Sequence, residues 1–599
     1  MSGNASSERE QRPLDWALTK RLLAYTKPYA RTRNALFGLV LLRAIQLPAV
    51  TWAIGFVISG PIASGDPASA VFGIVAFVGL VVFTELCFVA RMRLALSLGE
   101  SVVFDMRRQI YAHLLRQPLS FFDKMPLGRL ISRVTSDVDV VRIGIQDVVF
   151  VSTVQLGSML IAAALMLYYD ALLFFVVCSI VPLLWMVMRY FRARLGQAYR
   201  DVQETYSRLT ASLAESVNGI RVIQGFVREE HNNEQFQDLI AVHSQNNMAV
   251  ARYSAVFLPL LEVSGQLFLS LLVVVGGYQA LTGALDLSSL IQFLFLSSLF
   301  FSPIPILGTQ YNQALTAMAG AERVFALLDT PPAFADEPGA HEVRELTGHV
   351  EFKDVCLEYV PGRWALDGVS FVALPGETLA LVGKTGSGKS SVIRLLAKLY
   401  PASSGQVLLD GQPIESLESP SLHRHLASVP QDNTLFSGTV RENIRFGRPR
   451  ASDAEVAEVL EQLDIADVIA TLPRGLDSEV GEKGANLSMG QRQLVCFARA
   501  LLANPKILIL DEATSAVDAV TEARLNKALT KLLHARTSFV VAHRLSTIRN
   551  ADRILVLEQG RLVEQGSHVE LLARGGAYAA LHREFVHGTD SGDAPSGTL

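Results

Sequence analysis

At 599 residues the chain is longer than one hydrophobic core organises, so two or more domains are expected. Its 53 Lys and Arg against 57 Asp and Glu leave a formal charge of −4, which gives no electrostatic case for a nucleic-acid partner. Hydrophobic residues make up 50% of the chain, an excess that lies almost wholly before residue 315 and argues against an ordinary soluble globule.

Residues 1–13 are polar and lack the apolar core of a signal peptide. Residues 14–29 mix Trp16, Leu18, Leu22, Leu23 and Tyr25 with basic side chains, the pattern of an elbow helix lying on the inner leaflet, so 1–33 is set apart as polar tail and elbow. A bilayer core takes about 20 apolar residues in a helix. Six stretches meet that length, about 34–59, 69–91, 145–169, 171–191, 256–282 and 288–313, which predicts a transmembrane domain over 34–318. Arginines crowd 92–144 and 192–252, and Lys20, Arg21, Lys27, Arg31 and Arg33 precede the first span. By contrast 60–68, the Tyr169-Asp170 corner and 282–286 carry no Lys or Arg. The positive-inside rule therefore places both termini and both long loops in the cytoplasm of a multi-pass inner-membrane protein.

Those loops show apolar residues at helical spacing, so the membrane helices are expected to run on past the bilayer. They are expected to turn back at Met125-Pro126-Leu127-Gly128 and at Asn218-Gly219, where a short helix would dock on a partner domain. Three ionisable residues fall inside the spans: Arg43, Glu85 and Glu262. Charge in hydrocarbon is costly, so they mark either a substrate cavity or mutual pairing. Four cysteines, Cys87, Cys178, Cys356 and Cys496, are scattered without C-x-x-C spacing, which suggests neither a disulfide framework nor a metal site.

Residues 319–348, with Thr330-Pro331-Pro332, read as a linker. From 349 to 587 short strand-like runs alternate with helical patterns, an α/β domain, and 588–599 is a Gly/Ser/Asp-rich tail expected to be disordered. Within that domain Gly383-Lys384-Thr385-Gly386-Ser387-Gly388-Lys389-Ser390 follows the apolar run 378–382 and opens a helical pattern at Ser391. Strand, glycine-rich loop, Lys-Ser and helix in that order make a phosphate-binding loop. Glycines let the backbone curl so that N–H groups face phosphate oxygens, and the helix adds its positive end. Lys389 is expected on the β- and γ-phosphates and the Ser390 hydroxyl on Mg²⁺. A second apolar run, 506–510, ends in Asp511-Glu512. Asp511 is expected to hold Mg²⁺ and Glu512 to act as general base on the attacking water. ATP and Mg²⁺ are the expected cofactors.

Between these elements lies Leu487-Ser488-Met489-Gly490-Gln491, which resembles the LSGGQ signature of ATP-binding cassette (ABC) proteins with Met489 in place of the first glycine. Other landmarks occur in cassette order. Tyr359 resembles the aromatic that stacks on adenine, and Gln431 the Q-loop glutamine that senses Mg²⁺ and the membrane domain. The run 478–484 is similar to the exporter X-loop, Ser515-Ala516-Val517-Asp518 to the D-loop, and His543 to the switch histidine. Phe121-Phe122-Asp123 through Arg133, and 215–229, look like the two coupling-helix regions of exporters. Over about 15–586 the chain resembles one half of a type IV ABC exporter: a membrane helical bundle of six spans fused to an α/β P-loop ABC-type ATPase domain.

The resemblance implies a dimer of half-transporters, with two nucleotides held between the phosphate loop of one subunit and the signature of the other. The Met125 turn would then dock on its own ATPase domain and the Asn218 turn on the partner's. A methionine where glycine permits close backbone approach is similar to consensus-site subunits of bacterial heterodimeric multidrug exporters, which favours a heterodimer over a homodimer. The expected cargo is a hydrophobic or amphipathic compound, drug-like or lipid. A peptide or siderophore exporter and an ATP-gated channel or regulator are the alternatives.

Overall fold

The structure, a computed structural model, describes residues 16–62, 65–179, 181–332, 336, 339–511, 519–542 and 545–590. The chain divides into two compact units, Met1–His113 with Gly128–Asp329, and Leu114–Leu127 with Thr330–Leu599.

Among its described residues the first unit is helical. Five helices are long and apolar enough to cross a membrane: Lys27–Ile62, Pro67–Leu114, Leu127–Tyr169, Glu229–Leu281 and Leu287–Leu328. The expected fourth span, 171–191, falls on Ala171–Cys178 and the start of Val181–Asn218, with residue 180 between them outside the described residues. The 48 residues of Pro67–Leu114 rise about 72 Å, longer than a hydrocarbon core of about 30 Å. Close approach rests on small residues, as it does wherever apolar lipid removes the hydrophobic drive. A Cβ added at Gly144 would lie 2.5 Å from the Ala317 Cβ, so the 144–148 segment can pack there only without a side chain. The elbow helix, Trp16–Ala24, is tied to the end of the last long helix by Arg21, whose guanidinium donates to both oxygens of Asp329 at 2.6 and 2.7 Å and lies 4.0 Å from the centroid of the Phe325 ring.

Among its described residues the second unit carries ten strands: β1 (Val350–Val360), β2 (Arg363–Ala373), β3 (Thr378–Val382), β4 (Ser404–Leu409), β5 (Gln412–Pro413), β6 (Leu426–Val429), β7 (Ile507–Asp511), β8 (Thr537–Val541), β9 (Arg553–Glu558) and β10 (Arg561–Gly566). An antiparallel sheet runs in the order β2-β1-β4-β5, and a six-stranded sheet in the order β10-β9-β3-β8-β7-β6. In the latter β3, β6, β7, β8 and β9 are parallel, and β10 closes it as an antiparallel edge. Strands β3, β7 and β8 are near-continuous apolar runs, the composition of parallel strands covered on both faces. One core joins the antiparallel sheet to the helix Lys389–Leu396. A second core packs the helices Asp453–Leu463, Met489–Leu502 and Ala519–Leu533. Among the described residues four helices of this unit, Val440–Arg445, Asp453–Leu463, Met489–Leu502 and His568–Arg574, start at capping boxes led by Thr439, Ser452, Ser488 and Ser567.

Short helices lie at both expected turns. Leu119–Lys124 ends at Met125, ahead of Pro126, and Ile220–Gly225 follows Gly219. At the other end of the chain the helix Ala577–Asp590 continues three residues beyond the expected domain end at 587, and residues 591–599 lie outside the described residues.

Candidate functional site

Parallel strands bring their carboxyl ends to one edge of a sheet, and loops leaving that edge are where α/β proteins bind ligands. Here the loop after β3 carries Gly383 to Gly388, the turn after β6 carries Gln431, and β7 ends in Asp511. Glu512, the run Ser515-Ala516-Val517-Asp518 and His543 lie outside the described residues, although Glu512 follows β7 directly and His543 follows β8 by two positions.

The phosphate loop has the backbone its sequence requires. Gly383, Gly386 and Gly388 have φ of +155°, +81° and +107°. A Cβ on Gly388 would lie 2.8 Å from the Ala365 carbonyl oxygen, so both conformation and space demand glycine there. Lys389 is buried at the start of the helix Lys389–Leu396, and its Nζ donates to the carbonyls of Gly383 at 2.7 Å and Lys384 at 2.9 Å. Burial pushes its ammonium below the usual lysine range, and the nearby Asp511 carboxylate opposes that shift. Ser387 is also buried, and its hydroxyl has no hydrogen-bond partner among the described residues. This cradle of glycine backbone, buried cation and orphan hydroxyl suits a polyphosphate. The hydroxyl-bearing Ser390 is exposed, and Asp511 is half-buried. Lys384 turns elsewhere, to Glu584 on the helix Ala577–Asp590 at 3.3 Å.

Tyr359, near the end of β1, donates its hydroxyl to Ser391 Oγ at 3.0 Å, which brings the expected base-stacking ring to the first turn of the phosphate-loop helix. Sequence reading missed what surrounds that ring. Arg394 lies 5.5 Å from its centroid, Tyr400 meets it edge-on at 5.0 Å, and Asp123 accepts from the Tyr400 hydroxyl at 2.6 Å. Burial, then that carboxylate, push the Tyr400 phenol well above its usual range. The i, i+3 spacing of Ser391 and Arg394 puts them on one helix face and was a local signal for Arg394. Asp123 and Tyr400, 277 residues apart, offered none.

The signature belongs to a different core. Leu487 is buried, Ser488 caps the helix Met489–Leu502 through a capping box with Gln491, Met489 is 42% exposed, and Gly490 is buried. In the first unit, Arg43 donates to the Thr84 carbonyl at 3.1 Å and lies over Phe88, while Glu85 and Glu262 are exposed on this chain.

A glycine-rich phosphate cradle on a parallel sheet, with a capped signature-like helix packed beside it and a unit of membrane-length helices ahead of it, defines an ATP-binding cassette joined to a transmembrane helical region. Comparison with known proteins is consistent with this throughout. Residues 34–304 match the model of the ABC transporter transmembrane region, and 366–515 that of the ABC transporter family. The chain is similar to the uncharacterized ABC transporter ATP-binding protein YknV of Bacillus subtilis (strain 168), 36% identical over 96% of each chain. It is also similar to a fatty acid ABC transporter ATP-binding/permease protein of Mycobacterium bovis, 37% identical over 82% of this chain and 78% of that one. A solved bacterial Atm1-family ABC exporter with ATP bound superimposes with a TM-score of 0.75 at 27% identity, covering 98% of this chain and 100% of that one. The chain belongs to the ABC exporter family. It is an ATP-hydrolysing subunit of a membrane exporter, with its transmembrane region ahead of its ATPase domain.

Proposed function

We propose that this chain is one half of a dimeric exporter that moves a hydrophobic or amphipathic compound, lipid or drug-like, outward across the cytoplasmic membrane. The likeness to a fatty acid transporter supports an amphipathic cargo. The domain plan is tail and elbow to 33, membrane domain 34–318, linker 319–348 and ATPase domain 349–587. Arg-rich cytoplasmic loops and Lys- and Arg-free outer turns support an ATPase domain and termini on the inner side.

The observation that carries the reading is the phosphate loop on the sheet edge. Backbone N–H groups of 383–391 and Lys389 would hold the triphosphate, Tyr359 the adenine, and Ser390, Gln431 and Asp511 a Mg²⁺ ion, which neutralises phosphate charge when bound. Glu512 would take a proton from the attacking water and His543 would hold the γ-phosphate. Leu487, Ser488, Met489, Gly490 and Gln491, with the D-loop residues 515–518, would face the nucleotide of the partner. Arg43, Glu85 and Glu262 are offered as cavity-facing residues.

Substituting Glu512→Gln tests the assignment. ATP binding should persist while hydrolysis at this site falls by two or more orders of magnitude, roughly 3 kcal/mol of barrier. An unchanged rate would remove Glu512 from the role of base. Reconstitution in vesicles with fluorescent amphiphiles, scored for ATP-dependent loss from the cytoplasm-facing leaflet, tests the cargo class.

A further inference from the structure

The side chains around Tyr359 reach beyond the nucleotide site. Arg394 lies against two aromatic rings, 5.5 Å from the centroid of Tyr359 and 5.8 Å from that of Tyr400. One carboxylate oxygen, Asp123 Oδ2, accepts from the Tyr400 hydroxyl at 2.6 Å and faces Arg394 at 3.6 Å. The Tyr359 hydroxyl donates a hydrogen bond to Ser391 of the phosphate-loop helix. The segment that carries Asp123, Leu119–Lys124, lies in the same compact unit as these residues, yet the chain on both sides of it leads into membrane-length helices.

We propose that Asp123 is a positioning residue for nucleotide binding: through Arg394 and Tyr400 it fixes the Tyr359 ring, so that the short helix between two membrane helices completes the base subsite. The proposal rests on the reading of Tyr359 as the adenine-stacking residue. Its physical basis is the directionality of the contacts. A guanidinium is attracted to the faces of aromatic rings, and a carboxylate that also accepts from one of those phenols pins the cation over both. Without the carboxylate Arg394 is free to swing into solvent and the Tyr359 ring loses its fixed face. Because coupling between two sites is reciprocal, base occupancy would in turn favour the docked position of helix Leu119–Lys124.

A ligand with no base separates this role from a general structural one. The full chain in detergent is titrated calorimetrically in magnesium-free buffer with ATP and with inorganic tripolyphosphate. Asp123→Asn and Tyr400→Phe are expected to weaken ATP about two- to five-fold and leave tripolyphosphate unchanged. Asp123→Glu is expected to restore most of the loss. Tyr359→Ala serves as the reference and should weaken ATP alone. If Tyr359→Ala leaves ATP binding intact, the base-stacking assignment falls and this proposal with it. If Tyr359→Ala weakens ATP but Asp123→Asn does not, Tyr359 keeps its role and the positioning role of Asp123 is overturned. Equal weakening of ATP and tripolyphosphate by Asp123→Asn overturns it as well, since the effect would then be on the fold.

Discussion

Single side chains in the ATPase unit carry charge where water is scarce, and two of them can be tested directly. Lys389 is buried and braces the phosphate loop by donating to two of its carbonyls. Hydrogen bonds to charged groups are worth roughly 1.5–3 kcal/mol, so Lys389→Ala should weaken ATP binding about 10- to 100-fold in a calorimetric titration. Asp336, in the second unit, accepts from the buried Lys398 at 2.8 Å and from the Ser419 amide at 2.9 Å. Burial would raise its pKa, but the hydrogen bonds from Lys398 and Ser419 outweigh that and hold the carboxyl below its usual range. A group whose folded pKa is depressed stabilises the fold above its unfolded value, about 3.9 for aspartate, and loses that contribution as pH falls through the folded value. Asp336→Asn should therefore lower the melting temperature by about 3–6 °C at pH 7. The gap from the wild-type chain should close as the pH drops below the carboxylate range, and a gap independent of pH would show that the ion pair is not its source.

At the scale of elements, the joint between the Gln431 segment and the signature helix matters most. Arg499, on the helix Met489–Leu502, donates to the Asn443 carbonyl at 2.9 Å, the Thr434 carbonyl at 3.1 Å and Asn443 Oδ1 at 3.0 Å. It also lies over the stacked rings of Phe436 and Phe446. Burial pushes this guanidinium below its usual range, so removing it relieves a desolvation cost but takes the donor from two backbone carbonyls and leaves Asn443 Oδ1 with the Phe436 amide alone. The second effect should win: Arg499→Ala is expected to cost about 2–4 kcal/mol in thermal or denaturant unfolding. Arg499→Lys should recover less than half of that, because an ammonium cannot reproduce the planar fork or its stacking. Recovery to the wild-type level would mean that charge alone holds the joint.

For the whole molecule, legibility followed distance along the chain. The phosphate loop, with the strand before it and the helix after it, is one contiguous run of local rules, and the structure folds it as the spacing predicts. Five of the six expected spans fall on helices long enough to cross a bilayer, because a long apolar run has few other solutions. The fourth runs through residue 180, outside the described residues, and the Tyr359 cluster joins residues 277 positions apart, which left no periodic trace in the sequence. Subunit composition is a further property that no single chain displays, but Met489 makes it testable. Its thioether stands exposed at the first turn of the signature helix, where a glycine would leave room for close backbone approach to a partner's γ-phosphate. If the site this chain offers its partner is weakened while its own phosphate loop is intact, two copies of the chain would give two equivalent sites, each crowded by a methionine. A mixed pair would give one competent site. The chain expressed alone is therefore expected to be monomeric or to hydrolyse ATP slowly. Co-expression with a half-transporter that has a glycine signature should yield a stable one-to-one complex with a rate at least about ten-fold higher, roughly 1.4 kcal/mol of barrier. Met489→Gly should raise the rate of any homodimer that forms. A stable homodimer with full activity and no response to Met489→Gly would show that the methionine is accommodated and that both sites are equivalent.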